Sequence, residues 1–164
     1  YQDGNITTTN TTATTTTDLE TAADFQDLYK KNQGAISMSE AYHRFFQTTK
    51  SELAILTNGS DCHQRMKLHV EKYFPSDHIF TSGQIGFAKP HPKAFQIVAE
   101  ATKTKLSDWT YIGDNYINDM EGAKNAGMHT IHLNRHHHQE GNCSDYTVYT
   151  EEELIDLFVR LENA

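Results

Sequence analysis

From Lys50 onward, short apolar runs alternate with longer amphipathic stretches. "LAILT" (53–57) has strand length and closes on Asn-Gly-Ser, a turn signal, so it predicts a buried strand ending in a tight turn. Residues 61–73, with Met66, Leu68 and Val70, predict a helix, and "HIFTS" (78–82) a second strand. "HPKAFQIVAEAT" predicts a helix with Pro92 in its first turn, where a missing N–H costs nothing. "WTYIG" predicts a third strand, "NDMEGAKNAG" a helix ending at Gly127, and "MHTIHL" a fourth strand. "YTVY" fits a fifth strand ahead of the acidic helix "TEEELIDLFVRL", with Thr150 as N-cap and Glu153 at the third helical position. Strands alternating with helices predict an α/β fold: a parallel sheet covered on both faces, with ligands at the carboxyl ends of its strands.

Before Lys50 the pattern changes. Residues 7–17 read TTTNTTATTTT, low in complexity and without an apolar face, and are expected to be disordered. From Asp18, a plausible N-cap, Leu19, Ala22, Ala23, Phe25 and Leu28 recur at helical spacing. A further helix is expected from Ser39 to about Thr48, carrying Ala41, Tyr42, Phe45 and Phe46.

At 164 residues the chain fits one domain with a sizeable core. Its net charge of −8 disfavours nucleic acid and anionic membranes as partners. No apolar run is long enough to span a bilayer, and no secretory leader pattern opens the sequence, so a cytoplasmic location is expected. Cys62 and Cys143 do not make a disulfide framework. No pattern specifies an oligomeric state.

The strand ends carry the chemistry. "LAILT" delivers Thr57, Asn58, Gly59 and Ser60; "WTYIG" delivers Gly113, Asp114, Asn118 and Asp119. Between them "GFAKPHP" places Lys89 just before a helix start. A hydroxyl and free backbone N–H groups hold phosphoryl oxygens, and a lysine neutralises their charge. Clustered carboxylates hold Mg²⁺, a cation that takes oxygen ligands and keeps several waters. A phosphate and metal site is therefore expected on one rim of the sheet.

These segments, in this order and spacing, resemble the haloacid dehalogenase (HAD) superfamily of phosphohydrolases. "ILTNGS" is similar to its second motif, "GFAKPHPKAF" to its third, and "YIGDNYINDMEGAKNAGM" to its fourth, G-D-x-x-x-N-D followed by G-A-x-x-A-G. The likeness is close over residues 51 to about 135 and is greatest to the branch with a helical cap after the first motif. It implies a HAD-like Rossmannoid parallel sheet with helices on both faces, and an Mg²⁺-dependent reaction through an aspartyl-phosphate intermediate. The substrate would be a small phosphorylated metabolite, such as a nucleoside monophosphate. In this resemblance Thr57 and the backbone N–H of Asn58 bind the phosphoryl group and Lys89 stabilises its charge. Asp114 ligates Mg²⁺, Asp119 belongs to the same metal site and orients metal-bound water or Lys89, and Gly113 and Asn118 support the loop.

The family's nucleophile motif, D-x-D-x-T on an N-terminal strand, does not precede Thr57. Asp3-Gly4-Asn5-Ile6-Thr7 resembles it, but only Tyr1 and Gln2 precede Asp3, and it reads as a chance match. The chain is therefore expected to be part of a longer protein. Residues 1–17 form a low-complexity segment, 18–50 the remnant of the helical cap and its linker, and 51–164 an incomplete α/β core. The 164 residues alone are expected to lack turnover. Two alternatives are a catalytically silent HAD-like binding or scaffold protein and a phospho-receiver signalling domain; Lys89 preceding Asp114 disfavours the second. His132 and His136, His137 and His138 invite a zinc reading, but no cysteine or acid completes a spaced set, and a polar loop is the expected home.

Overall fold

The structure is a computed structural model that describes residues 39–68, 73–138 and 141–163. The threonine-rich segment, Asp3 and the helix expected from Asp18 lie outside the described residues.

Twelve described elements follow one another along the chain. They are α1 (Glu40–Thr48), β1 (Ile55–Thr57), α2 (Asp61–Leu68), β2 (Ile79–Thr81), α3 (Ser82–Ile85) and α4 (Pro92–Thr102), then β3 (Thr110–Gly113), a π-helix (Tyr116–Glu121), α5 (Gly122–Ala126), β4 (His129–Leu133), β5 (Tyr146–Val148) and α6 (Glu151–Glu162). Short 3₁₀ turns at Ser76–His78 and Leu106–Asp108 precede β2 and β3. β1 pairs with β2, Leu56 opposite Phe80. β3 pairs with β4, Gly113 opposite His132, and β4 with β5, Leu133 opposite Val148. Every pairing is parallel. Among the described residues the strands form two groups, β1–β2 and β3–β4–β5, with no ladder between β1 and β3.

Successive side chains of a strand point to opposite faces, and here both faces are apolar. Ile55, Ile79, Ile112, Ile131 and Leu133 pack with α1 and α6 through Tyr42, Phe45, Phe46, Leu154 and Leu157. Leu56, Phe80 and Tyr111 pack on the other face with α4 and α5 through Ala94, Phe95, Val98 and Ala123. The chain is thus an α/β fold with helices on both sides of its strands. α1 belongs to this core: Phe45 meets Phe158 of α6 edge-on at 5.0 Å, and Phe46 meets Phe74 at 5.3 Å. Among the described residues no helix is long and apolar enough to cross a membrane.

The strands are shorter than their apolar runs because of the contacts at their ends. The Leu53 carbonyl faces the His78 ring at 3.1 Å instead of joining a ladder. His78 sits in a 3₁₀ turn, and Ser82 opens α3 under the Thr81 side chain, which accepts from the Gln84 N–H. The helix expected across "NDMEGAKNAG" is instead the π-helix followed by α5. Gly127 closes α5 with φ +94°, a left-handed position that suits glycine. At α6, Thr150 caps the Glu153 N–H at 3.2 Å as expected, while the Glu153 carboxylate reaches back to the Tyr149 N–H at 2.7 Å. Among the described residues neither Cys62 nor Cys143 forms a disulfide.

Candidate active site

The three motif segments meet at the carboxyl ends of β1 and β3. Thr57, the last residue of β1, is fully buried; its hydroxyl donates to Gln64 Oε1 at 3.3 Å. The next residue, Asn58, clasps the lysine loop from both sides. Its Nδ2 donates to the Lys89 carbonyl at 3.0 Å, and its Oδ1 accepts from the Lys89 N–H at 2.8 Å. The tip of β1 therefore fixes the main chain from which Lys89 departs.

The Lys89 side chain runs inward to the tip of β3. Its Nζ donates to Asp119 Oδ1 at 2.6 Å and to the Tyr111 hydroxyl at 2.8 Å. Both charged side chains of the pair are 0% exposed. An ion pair so deprived of water persists only when its hydrogen bonds are nearly complete. The second Asp119 oxygen meets that demand by accepting from the Asn115 N–H at 3.1 Å. Asn115 also caps the π-helix, its side chain accepting from the Asn118 N–H at 2.9 Å. This backbone path turns the chain back on itself, so the Asp119 carboxylate lies over Gly113. A Cβ at Gly113 would collide with that carboxylate, so the Gly-Asp sequence is a steric requirement of the ion pair. Gly122 serves a similar end: a Cβ there would fall 2.9 Å from Pro90 and 3.0 Å from Phe95, so its close approach is to the lysine loop and α4 rather than to the sheet.

Asp114 differs from Asp119. Its Oδ1 is buried and, among the described residues, meets no hydrogen-bond partner. Burial, and next the nearby Asp119 charge, raise its carboxyl above the ordinary aspartate range, against lowering by its backbone hydrogen bond, Arg135 and Lys89. A buried carboxylate oxygen without a donor is costly unless something cationic meets it, so Asp114 fits an Mg²⁺ ligand. Among the described residues no three His, Cys, Asp or Glu side chains gather as a ready-made metal cage. Asp119 has both oxygens engaged by Lys89 and Asn115, so its geometry favours orienting the lysine over ligating a metal.

The histidines separate. His132 lies on β4, buried, and its Nε2 bonds the Asp114 main-chain oxygen at 3.3 Å. His136, His137 and His138 are exposed in the turn beyond β4, where His137 stacks on Tyr149 with centroids 4.7 Å apart. His91 caps α4, its ring accepting from the Lys93 N–H at 3.1 Å. Sequence reasoning missed three residues of the site: Tyr111, Asn115 and Gln64. The signal for Tyr111 was a phenol on the core face of a strand, since a buried hydroxyl needs a partner.

The haloacid dehalogenase-like hydrolase family model matches residues 6–133, a span that begins well upstream of Ser51. The pyrimidine 5'-nucleotidase YjjG of Escherichia coli is 32% identical over 133 residues, 77% of this chain and 56% of its own length. A glyceraldehyde 3-phosphate phosphatase of Methanocaldococcus jannaschii is 27% identical over 117 residues, 68% of this chain and 50% of its own. The chain spans about half the length of these curated relatives. Among solved structures, a HAD phosphatase from Thermococcus onnurineus superposes with a TM-score of 0.74 at 25% identity, over 86% of this chain and 66% of that one. With the family model covering most of its length, the chain belongs to the haloacid dehalogenase-like hydrolases.

Proposed function

We propose that the intact protein is an Mg²⁺-dependent phosphohydrolase that cleaves a small phosphate monoester through an aspartyl-phosphate intermediate. The observation that carries this reading is the wholly buried Lys89–Asp119 pair, tied to the tip of β1 by Asn58 and lying beside an Asp114 oxygen that has no partner among the described residues. A buried, fixed ammonium is a preorganised charge for a phosphoryl group, and such groups need little reorganisation when the reaction occurs.

In this mechanism an aspartate carboxylate attacks phosphorus. The P–O bond to the leaving group breaks, and the departing oxygen takes a proton from a second acid. Water then attacks the acyl phosphate, releasing inorganic phosphate and restoring the aspartate. We assign the attacking aspartate to a strand inserted between β1 and β3, where the described strands form no ladder, and not to Asp3. Thr57 and the Asn58 N–H would hold phosphoryl oxygens, Lys89 would offset their charge, and Gly113 and Asn118 would shape the loop. Mg²⁺, when bound, would neutralise phosphoryl charge, and Asp114 would hold it. The named relatives include phosphatases of glyceraldehyde 3-phosphate and phosphoserine and a pyrimidine nucleotidase, which supports a small phosphorylated substrate, a nucleoside monophosphate among them. Family membership leaves no place for the phospho-receiver alternative.

The test is hydrolysis of p-nitrophenyl phosphate by the intact protein with and without Mg²⁺, compared with Lys89→Met. Metal-dependent turnover that falls at least about 100-fold in the variant is expected, the scale of losing a preorganised charge. Turnover unaffected by Lys89→Met overturns the mechanism. No turnover by the intact protein on any phosphate monoester, with phosphate binding retained, establishes the silent binding reading instead. The 164-residue chain assayed alongside is expected to bind phosphate weakly and not to turn over.

A further inference from the structure

Lys89 has a second partner that the motifs do not include. Tyr111 lies on β3, three residues before Asp114, on the face that carries Leu56, Phe80 and Phe95. Its hydroxyl accepts from Lys89 Nζ at 2.8 Å and donates its own proton to the Leu56 carbonyl at 3.0 Å. A phenol has one proton, so with that proton committed to Leu56 its lone pairs face the ammonium. The ammonium stands 5.3 Å from the ring centroid, which with the 2.8 Å contact puts it beyond the phenol oxygen rather than above the ring. The ring is itself held, with Phe95 meeting it edge-on at 5.4 Å. Tyr111 therefore reaches from β3 to the main chain of β1, joining the two strand groups at the point where Lys89 passes between them.

An ammonium has three N–H donors. Asp119 takes one and Tyr111 another, and among the described residues no further acceptor is bonded to Lys89. Two anchors fix the direction of the third donor, which a single salt bridge would leave free to rotate.

We propose that Tyr111 is a positioning residue of the reaction: it holds the Lys89 ammonium as a second acceptor beside Asp119, so that the remaining N–H meets an oxygen of the transferred phosphoryl group. This rests on the phosphohydrolase reading above. Asp119 supplies the charge that keeps the lysine ionised, and Tyr111 supplies direction. Because the effect is on geometry around the reacting group, it acts on turnover more than on substrate capture.

The experiment is a double-mutant cycle in the intact protein with Mg²⁺, using Tyr111→Phe, Lys89→Met and the pair. kcat and KM are measured on p-nitrophenyl phosphate, and the affinity for inorganic phosphate by calorimetry. Tyr111→Phe is expected to lower kcat roughly tenfold, the scale of one hydrogen bond to a charged group, with KM changed less than about twofold. Adding Tyr111→Phe to Lys89→Met should lower kcat no further, because the tyrosine acts only through the lysine. A residue that merely stabilises the fold would lower the melting temperature and give the same factor in both backgrounds. Should Tyr111→Phe not fold, a 4-aminophenylalanine at position 111 keeps a donor for Leu56 but is a weaker acceptor for the ammonium, and a smaller drop in kcat is expected. Wild-type kcat in either variant, or equal factors in both backgrounds, overturns the proposal. If Lys89→Met is impaired and Tyr111→Phe is not, only the role of Tyr111 fails. If Lys89→Met itself keeps wild-type turnover and phosphate affinity, the phosphohydrolase reading fails and takes this one with it.

Discussion

β3 and β4 lie side by side in register, and each ends in a polar loop. The loop after β3 holds two aspartates, Asp114 and Asp119; the turn after β4 holds three consecutive histidines. By residue type both look like sites, yet their physical states are opposite. Asp119 is 0% exposed and both of its oxygens are bonded, one to a lysine that arrives from a loop 30 positions away. His136, His137 and His138 are exposed, and their ring contacts are with one another and with Tyr149. The difference lies in convergence. Groups brought together out of water from distant parts of the chain have interactions worth several kcal/mol, whereas clustered groups in water have little.

The largest expected effect comes from breaking the buried pair. Asp119→Ala strands the Lys89 cation and the Asn115 N–H inside the protein. It should cost about 3–5 kcal/mol of unfolding free energy, read from denaturant midpoints. A loss under about 1 kcal/mol would mean that water reaches the site, and the contrast with the histidines would collapse.

Asp114→Asn comes next and acts on a different quantity. Nearly isosteric, and replacing an acid whose buried Oδ1 has no partner among the described residues, it should leave the fold intact. On the proposed function, phosphatase activity of the intact protein at saturating Mg²⁺ should fall about 100-fold, equivalent to roughly 2.7 kcal/mol of barrier. Retained activity would remove Asp114 from the chemistry.

A third carboxylate sharpens the contrast by being structural. Asp145 binds Lys124, and its Oδ2 accepts from the Thr130 N–H at 2.9 Å, which pins the start of β5 to β4. The bond from Lys124, chiefly, and those from Thr130 hold its carboxyl below the usual aspartate value. A lowered folded-state pKa means the unfolded chain binds the proton more readily, so the stabilisation is present above the unfolded value of 3.8 and is lost as pH falls through the folded one. Asp145→Asn should therefore cost about 1 kcal/mol at pH 7, and the difference from wild type should vanish in acid, with turnover little changed. A penalty independent of pH would assign the effect to packing.

The smallest effect belongs to the histidines of the turn. Replacing His136, His137 and His138 together with alanine should change stability by less than about 0.5 kcal/mol and leave phosphatase activity as it was. A large loss in either would show that the turn takes part in the site.

The fold class and most of the site were legible because their signals are local. Thr57 and Asp114 announce themselves as polar residues where apolar strands stop, and Lys89 as a lysine just before a helix start. The alternation of Ile55 with Leu56 and of Tyr111 with Ile112 marks strands buried on both faces. Boundaries were less legible. Whether Leu53 joins a ladder depends on His78, 25 positions away, and the π-helix in place of an α-helical turn follows from where Lys89 draws the Asp119 carboxylate. Tyr111 read as a core aromatic because its hydrogen-bond partners, Lys89 and Leu56, lie far from it in sequence.

By itself the sequence determined which residues could do chemistry: a hydroxyl, an amide, a lysine and two aspartates, each at a strand tip or helix start set by short-range periodicity and turn residues. Tertiary structure alone decided how they divide the work. Two aspartates five positions apart look equivalent in a string of letters. Burial beside Lys89 and the Asn115 N–H bonds both oxygens of one, while an oxygen of the other is buried with no partner among the described residues. Hydrogen bonding and desolvation depend on what surrounds an atom in three dimensions, and that neighbourhood is assembled from segments the sequence keeps apart.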